Sequence, residues 1–394
     1  MRKILLLTSR LPYPPIGGDR LRAYWLLNIL AKHFKIHLVS ISEGNINVEE
    51  FENFAKDMGI TYKLFLKRKL NLYLNALKTS LNKLPLQVNY YYFKELKEYI
   101  DSVYADFDLL FSSLVRTANY LINKDKPKIL DMTDSISQNY SRSKEKTKSL
   151  FWKVIYSIEA SRLYEYEKRC IEAFDKTLLI SKDEANYYNH TNKISIIPNG
   201  VDKKIVEYNK FNMNYKNCVV FFGKMDYQPN VDAVLWFVNY VLPYIKKDIK
   251  FIIIGSNPTN AIKKLEKSYR NVVVTGYIQD PYEILQSSLC VVAPMQTGGG
   301  IQNKILESMA VGAINIVSSL AAKPIGAVDN LHFLIRNDPL EIAQTINDIH
   351  TNPYKYKHIR NYAREFIKEN FTWDKVEKKL LEVVDEVLYG KASN

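Results

Sequence analysis

The sequence carries only three cysteines, Cys170, Cys218 and Cys290, far apart and with no CxxC pair. That scarcity excludes a disulfide framework and a thiolate zinc cluster, and it fits reduced thiols in a cytoplasmic protein. Long apolar runs are missing as well. No window reaches the ~18 apolar residues a membrane span needs, and the best stretch, 233–245, is broken by Asn239 and Pro243. The opening MRKILLLTSR has too short an apolar core for a secretory leader and reads as a first strand. Neither a G-x-G-x-x-G fingerprint nor a Walker lysine pattern occurs, which argues against a dinucleotide dehydrogenase and a P-loop enzyme. Acidic residues are the scarcer charge: 42 Asp and Glu face 55 Lys and Arg, a formal net charge of +13. Such an excess points to nucleic acid, a membrane surface or a phosphorylated ligand, unless it reflects A/T-rich coding that inflates lysine.

What is present is ordinary globular material, 47% apolar and 25% charged over 394 residues, enough for two to three domains. Short apolar runs alternate with helical patterns throughout, the signature of parallel α/β sheets. Strand candidates in the first half are 4–7, 36–41, 109–112, 129–132 and 177–180. A second series, 218–222, 251–254, 272–275, 289–293 and 314–318, starts after IIPNGVDKKIVEYNKFNMNYKN, a polar stretch read as a linker. The expected fold is α/β with two Rossmann-like doubly wound domains facing a central cleft, at 1–205 and 206–372. A final amphipathic helix, 373–394, is expected to pack back on the first domain.

Ligands of open parallel sheets bind beyond the carboxyl ends of the strands. After the first strand, SRLPYPPIGGDRLR sets Gly17 and Gly18 before a helix, where bare amides and the helix dipole favour an anion. Asp19 suits a helix cap. Arg22 opposes the dipole there, which is explained if it faces a phosphate or acceptor and is otherwise a solvated surface charge. In the second half, Lys224 follows a strand and Gly223, a place suited to a diphosphate or to plain solvation. Gly298, Gly299 and Gly300 lie between a strand and a helix as an amide cradle. Lys304 and Glu307 share one face of that helix. Either they meet phosphate and ribose hydroxyls, or they form a surface ion pair worth about 0.3 kcal/mol. Asp106 and Asp108 form a DxD that precedes a strand instead of following one, so no metal site is expected.

Seven segments occur in one order: PYPPIGGDRLR, DMTDSISQNYS, SRLYEYEKR, SKDEANYY, IPNGVD, GKMDYQPNVDAVLWF and GGGIQNKILESMAVG. Over nearly the whole chain they resemble the GT-B glycosyltransferases of glycosyltransferase family 4. The resemblance implies a metal-independent, retaining hexosyltransferase without a cofactor, which moves a sugar from a nucleoside diphosphate sugar to a glycan or lipid-linked acceptor in bacterial cell-surface polysaccharide synthesis. It puts the donor mainly on the second domain and the acceptor on the first. Gly17, Gly18, Lys224, Gly298, Gly299, Gly300, Gln302, Lys304 and Glu307 are then donor-binding, with Tyr277 and Ile278 beside the base, while Asp19 and Arg22 serve the acceptor. The family's E-x7-E motif ends at Glu307, but its first acid is Gly299 here, so glycine amides or Gln302 take that role. None of His33, His37, His190, His332, His350 or His358 occupies the family's histidine position. Asp131 and Asp134 are the nearest catalytic candidates, with strand-end capping as the other reading.

Between Asp57 and Glu95 there are seven basic residues and no acid. Leu70, Tyr73, Leu74, Leu77 and Leu81 follow helical spacing, with Asn71, Asn75, Lys78 and Asn82 opposite. With Arg142, Lys144, Lys146 and Lys148, this face suits peripheral docking on an anionic membrane, or the apolar stripe packs on the sheet. No recognised nucleic-acid module is present, so nucleic acid is not an expected partner. A GT-B nucleotide-sugar epimerase and a noncatalytic GT-B subunit are the alternatives to a transferase.

Overall fold

A computed structural model describes residues 1–15, 17–43, 47–77, 82–147, 149–189 and 192–390, without the Lys146 side chain. Lys78, Leu81, Lys148 and His190, singled out above, lie outside the described residues, as does that side chain. The chain divides into two compact units, Met1–Pro198 with Glu377–Asn394, and Asn199–Val376.

The first unit is built on a parallel sheet of β1 (Lys3–Thr8), β2 (Lys35–Glu43), β3 (Thr61–Lys67), β4 (Leu109–Ser113), β5 (Lys128–Thr133), β6 (Lys176–Leu179) and β7 (Ile194–Ile196). Their order is β3-β2-β1-β4-β5-β6-β7. Strands such as KILLLT are buried on both faces because helices cover both sides of a parallel sheet. Leu5 and Leu7 of β1, Leu110 of β4 and Leu130 of β5 share one core with Ile100 of the helix Lys94–Val103 and Leu163 of the helix Leu150–Ala173. The second unit repeats the plan with β8 (Cys218–Phe222), β9 (Lys250–Ile254), β10 (Val272–Gly276), β11 (Cys290–Ala293), β12 (Asn315–Val317) and β13 (Leu334–Ile335). Their order is β10-β9-β8-β11-β12-β13, again parallel.

These sheets correct the expected count of about five strands each. β3, β7 and β13 were not anticipated. β3 reads TYKLFLK with lysines interrupting its apolar residues, as an edge strand tolerates, and β7 and β13 are too short to stand out. The expected linker is likewise part of the second unit. Val201 bridges Thr372, the helix Lys203–Val206 follows, and the Asn212 amide donates to Ser287 Oγ at 2.8 Å. The division therefore falls at Pro198/Asn199, seven residues before the expected boundary at 205. The last helix, Trp373–Tyr389, belongs to the first unit from Glu377 on: Glu377 accepts from Lys32 Nζ (2.7 Å) and His33 Nε2 (2.9 Å), and Glu386 pairs with Lys176.

In each sheet the strand order reverses once, between β1 and β4 and between β8 and β11. Connections leave these neighbouring strands in opposite directions, opening a crevice at their carboxyl ends where ligands of doubly wound sheets bind.

Candidate functional site

In the second unit, the β8/β11 reversal is shaped by contacts that admit no side chain. The Gly223 amide donates to Ile254 O at 3.0 Å, and a Cβ on Gly255 would stand 1.7 Å from the Gly223 carbonyl oxygen. β8 and β9 therefore end flush, and the chain turns into the helix Gln228–Tyr240. Asn230, in its first turn and 6% exposed, donates from Nδ2 to Lys224 O at 2.9 Å. Its Oδ1 accepts from Lys304 Nζ at 2.7 Å.

Lys304 comes from the helix Asn303–Ala310, which follows β11 and the three glycines. Gly298 and Gly300 have φ of +107° and +66°, and no side chain caps this helix at Gln302, so its leading amides keep their donors. The ammonium is surrounded by Asn230 Oδ1, the Met295 sulfur at 3.1 Å and the Phe221 ring at 4.4 Å. Among the described residues no carboxylate pairs with it, and burial lowers its pKa to about 7. One turn on, Glu307 accepts from Tyr282 Oη at 3.2 Å, and burial raises its pKa to about 7 against the lowering effect of that hydrogen bond. The surface ion pair is thus replaced by two separate, partly buried titratable groups, each with its own neutral partner. Tyr282 packs on Tyr208, whose hydroxyl donates to Asp280 at 3.0 Å.

Other donor-side expectations are placed differently. Lys224 is half-exposed and pairs with Asp226 at 3.2 Å, so Lys304 is the cation at the centre of this reversal. Tyr277 is exposed, whereas Ile278 packs against the cluster of Ile252 and Ile254. Sequence reasoning missed Tyr282, and it missed Arg360 and Arg364. Arg364 Nε donates to Ala310 O (3.1 Å) and Nη2 to Val311 O (2.7 Å), while Arg360 Nη1 and Nη2 reach Gly312 O and Ser288 O. These guanidiniums take up carbonyls left over where the 303–310 helix ends and so fix its axis. Their spacing within a surface-like helix gives no sign of it; Tyr282 lies four residues beyond Ile278.

In the first unit, the β1/β4 reversal corrects two expectations. Arg22 does not face a ligand: its Nε lies 3.0 and 2.9 Å from the two Asp131 oxygens and its Nη2 2.7 Å from Oδ1. Both side chains are 1% exposed. Asp131 at the end of β5 is therefore committed to holding the helix Gly18–His33 against the sheet and is not open for catalysis. Asp134, three residues on, is only partly buried and accepts from Asn139 Nδ2 at 2.8 Å. Desolvation raises its pKa, against lowering by Asn139 and Arg116. Asp19 is no cap either; helix 18–33 starts at Gly17 with φ +101°, and Asp19 Oδ2 lies 3.2 Å from Arg10 Nη1 and 3.8 Å from Arg116 Nη1. Gly18, by contrast, has open space where a Cβ would stand.

Arg10 and Arg116 were not anticipated. Arg10 Nε donates to Tyr91 Oη, which donates to Glu43; Arg116 Nε donates to Gln87, and its buried Nη1 has no hydrogen-bond partner among the described residues. Ser9 Oγ, in the small polar cavity walled by Arg10, Asp19, Ser113 and Leu114, is likewise without a partner among the described residues. Leu114 and Thr133, at the ends of β4 and β5, have φ of +67° and +68°, a conformation costing side-chain-bearing residues about 1 kcal/mol or more and concentrated at functional sites. The DxD acid Asp108 is structural, accepting from Arg2 and the Lys3 amide.

Two parallel Rossmann-like units with strand-end sites define a GT-B fold. Solved structures agree: the chain resembles Anabaena HepE crystallised with UDP (TM-score 0.71, 13% identity, 98% of this chain and 100% of that one) and sucrose-phosphate synthase from Thermosynechococcus elongatus (TM-score 0.68, 13% identity, 98% and 99%). Residues 216–352 match the family model described as Glycosyl transferases group 1. It is 25% identical to an uncharacterized 44.6 kDa protein of the cps region of Klebsiella pneumoniae over 95% of this chain and 98% of that protein. It is also 26% identical to an uncharacterized glycosyltransferase of Methanocaldococcus jannaschii over 48% and 49% of the two chains.

Proposed function

We propose that the protein is a retaining hexosyltransferase of glycosyltransferase family 4 that takes a sugar from a nucleoside diphosphate sugar and passes it to a glycan or lipid-linked acceptor at the cytoplasmic face of the membrane, in cell-surface polysaccharide synthesis. The observation that carries this reading is the Lys304–Asn230 and Glu307–Tyr282 pair of contacts beside the β8/β11 reversal. Lys304, which has no carboxylate partner among the described residues, meets the diphosphate, the amides after Gly298–Gly300 and at Gln302 take further phosphate or sugar oxygens, and the Glu307 carboxylate accepts two ribose hydroxyls. Ile278 and the exposed Tyr277 offer the base an apolar edge and a ring. HepE binds UDP and UDP-glucose in its crystals, and the Klebsiella relative is encoded in a cps region; both support a sugar donor, a UDP-sugar being the first to test, and a capsule-like product.

Departure of the nucleoside diphosphate leaves charge on the leaving oxygen, and Lys304 with the helix amides stabilises it as a preorganised electrostatic site, without a metal. On the acceptor side, Asp134 replaces Asp131 as the carboxyl that takes the attacking hydroxyl's proton; desolvation raises its pKa and so makes it a stronger base than an ordinary aspartate. Arg10, Asp19 and Arg116 orient the acceptor beside Gly17 and Gly18. Incubation with UDP-sugars and an extract of lipid-linked glycans tests the reading. Sugar incorporation that Glu307→Ala abolishes supports it; release of an epimerised sugar without transfer overturns it.

A further inference from the structure

The first unit carries an apolar surface that the donor and acceptor sites do not use. The helix Leu150–Ala173 begins at Ser149, whose hydroxyl accepts from the Trp152 amide, and its opening turns are bare: Leu150 is 80% exposed and Phe151 67%, with Val154 and Ile158 also exposed. At 3.6 residues per turn, these four share one face. Trp152 stacks on Tyr156, and Tyr156 meets Tyr140 of the preceding helix, Ile136–Lys146. A groove of about 500 Å³ between the two helices is lined by Lys144, Ser141, Ser157, Ser161, Tyr164 and Tyr187, with Glu145 at its side. Among the described residues, Arg142, Lys144 and Lys153 flank the helix start in sequence with Glu145 as the acid between them, and Arg142 lies 3.8 Å from Asp183. The first acid of the helix, Glu159, is turned inward to the Leu86 amide. Leu70, Tyr73, Leu74 and Leu77 of the helix Lys69–Leu77 are exposed too, and the segment Leu86–Tyr90 links the two regions, Tyr90 touching Tyr73 and Leu86 touching Glu159.

We infer that the start of helix 150–173 inserts into an anionic bilayer, with the Lys144 groove taking a lipid phosphate headgroup and the helix 69–77 resting on the same surface. Apolar and aromatic side chains flanked by Arg142, Lys144 and Lys153 match the layered chemistry of a bilayer boundary. The basic charge selects an anionic surface, and it opposes a second copy of this chain, which would bring like charges together. The inference deepens the lipid-linked acceptor of the proposed function and is independent of the donor pocket.

The test is flotation of the full chain with phosphatidylcholine vesicles, with and without phosphatidylglycerol. Binding is expected only with phosphatidylglycerol and at low salt, with a blue shift of the emission that Trp152→Phe removes. The triple variant Leu150→Ser, Phe151→Ser, Val154→Ser should lose about tenfold in partitioning, and Lys144→Glu with Lys153→Glu should lose binding with the apolar face intact. Absence of wild-type flotation at low salt, or undiminished flotation of both variants, overturns the inference. So does a wild-type dimer that the triple variant turns into monomer. A chain that floats but binds no nucleotide would leave the inference standing while sinking the transferase reading.

Discussion

Lys304 Nζ lies 2.7 Å from Asn230 Oδ1 and meets a sulfur and an aromatic face on its other sides, so the ammonium is held in place without a carboxylate among these neighbours. With its pKa lowered to about 7 from the ordinary 10.5, the unfolded chain binds more protons than the folded one between those values, and stability rises with pH across that window. Glu307, raised from 4.5 to about 7, works in the opposite sense: the folded chain binds more protons between 4.5 and 7, and stability falls as pH rises through that range. The two contributions together put the least stable unliganded state near pH 7.

A diphosphate favours charged Lys304, and ribose hydroxyls favour ionised Glu307. Donor binding should therefore take up a proton above pH 7 and release one below it. Calorimetry in buffers of different ionisation enthalpy reads the sign directly. Lys304→Ala should abolish the uptake and Glu307→Gln the release; binding with no proton exchange at either pH would contradict these roles.

Tyr282→Phe removes the one hydrogen bond that lowers the Glu307 pKa. The carboxyl then ionises at a higher pH, and the donor KM should rise about tenfold near pH 7, the loss of ~1.5 kcal/mol of hydrogen bonding to a charged group. At pH 9 the deficit should shrink. Steady-state kinetics across that range checks it, and an equal deficit at every pH would point to simple loss of packing.

The pair Arg22–Asp131 is buried on both sides, and removal of one partner leaves an uncompensated charge. Asp131→Ala should cost ~3–5 kcal/mol in denaturant unfolding, and Arg22→Ala about as much, with non-additive effects in the double variant. Asp134→Asn should leave stability nearly unchanged while lowering kcat. Collapse of kcat in a stably folded Asp131→Ala would restore the catalytic reading that the geometry withdraws.

Gly255→Ala places a Cβ 1.7 Å from a carbonyl oxygen and should prevent the second unit from folding, seen as lost thermal cooperativity. Gly18→Ala meets nothing within 4 Å and should unfold like the wild type. If a phosphate or sugar approaches the Gly18 backbone, that variant nonetheless loses transfer. Unchanged transfer removes Gly18 from the site.

Much of the fold was legible because parallel strands such as FIIIG and CVVFF are continuous apolar runs, and such runs restart after residue 216. The edge strand β3 was not legible, since its lysines break the pattern, nor was the packing of 199–217, whose polar residues serve Ser287 and Arg364. At the site, Lys304 and Glu307 stood out by their spacing after three glycines. Their true partners, Asn230 and Tyr282, are distant in sequence and join them only through the strand reversal. Arg22 and Asp131 each stand out in the sequence, but a pairing across 109 residues has no signature in a single chain.

The most direct measurement is calorimetric titration of the wild type and of Lys304→Ala and Glu307→Ala with UDP, GDP and their sugars. The account predicts saturable binding of one nucleotide class to the wild type, weakened at least about tenfold in each variant, a loss of ~1.4 kcal/mol or more. Absence of nucleotide binding by the wild type, or equal affinity in both variants, would contradict it.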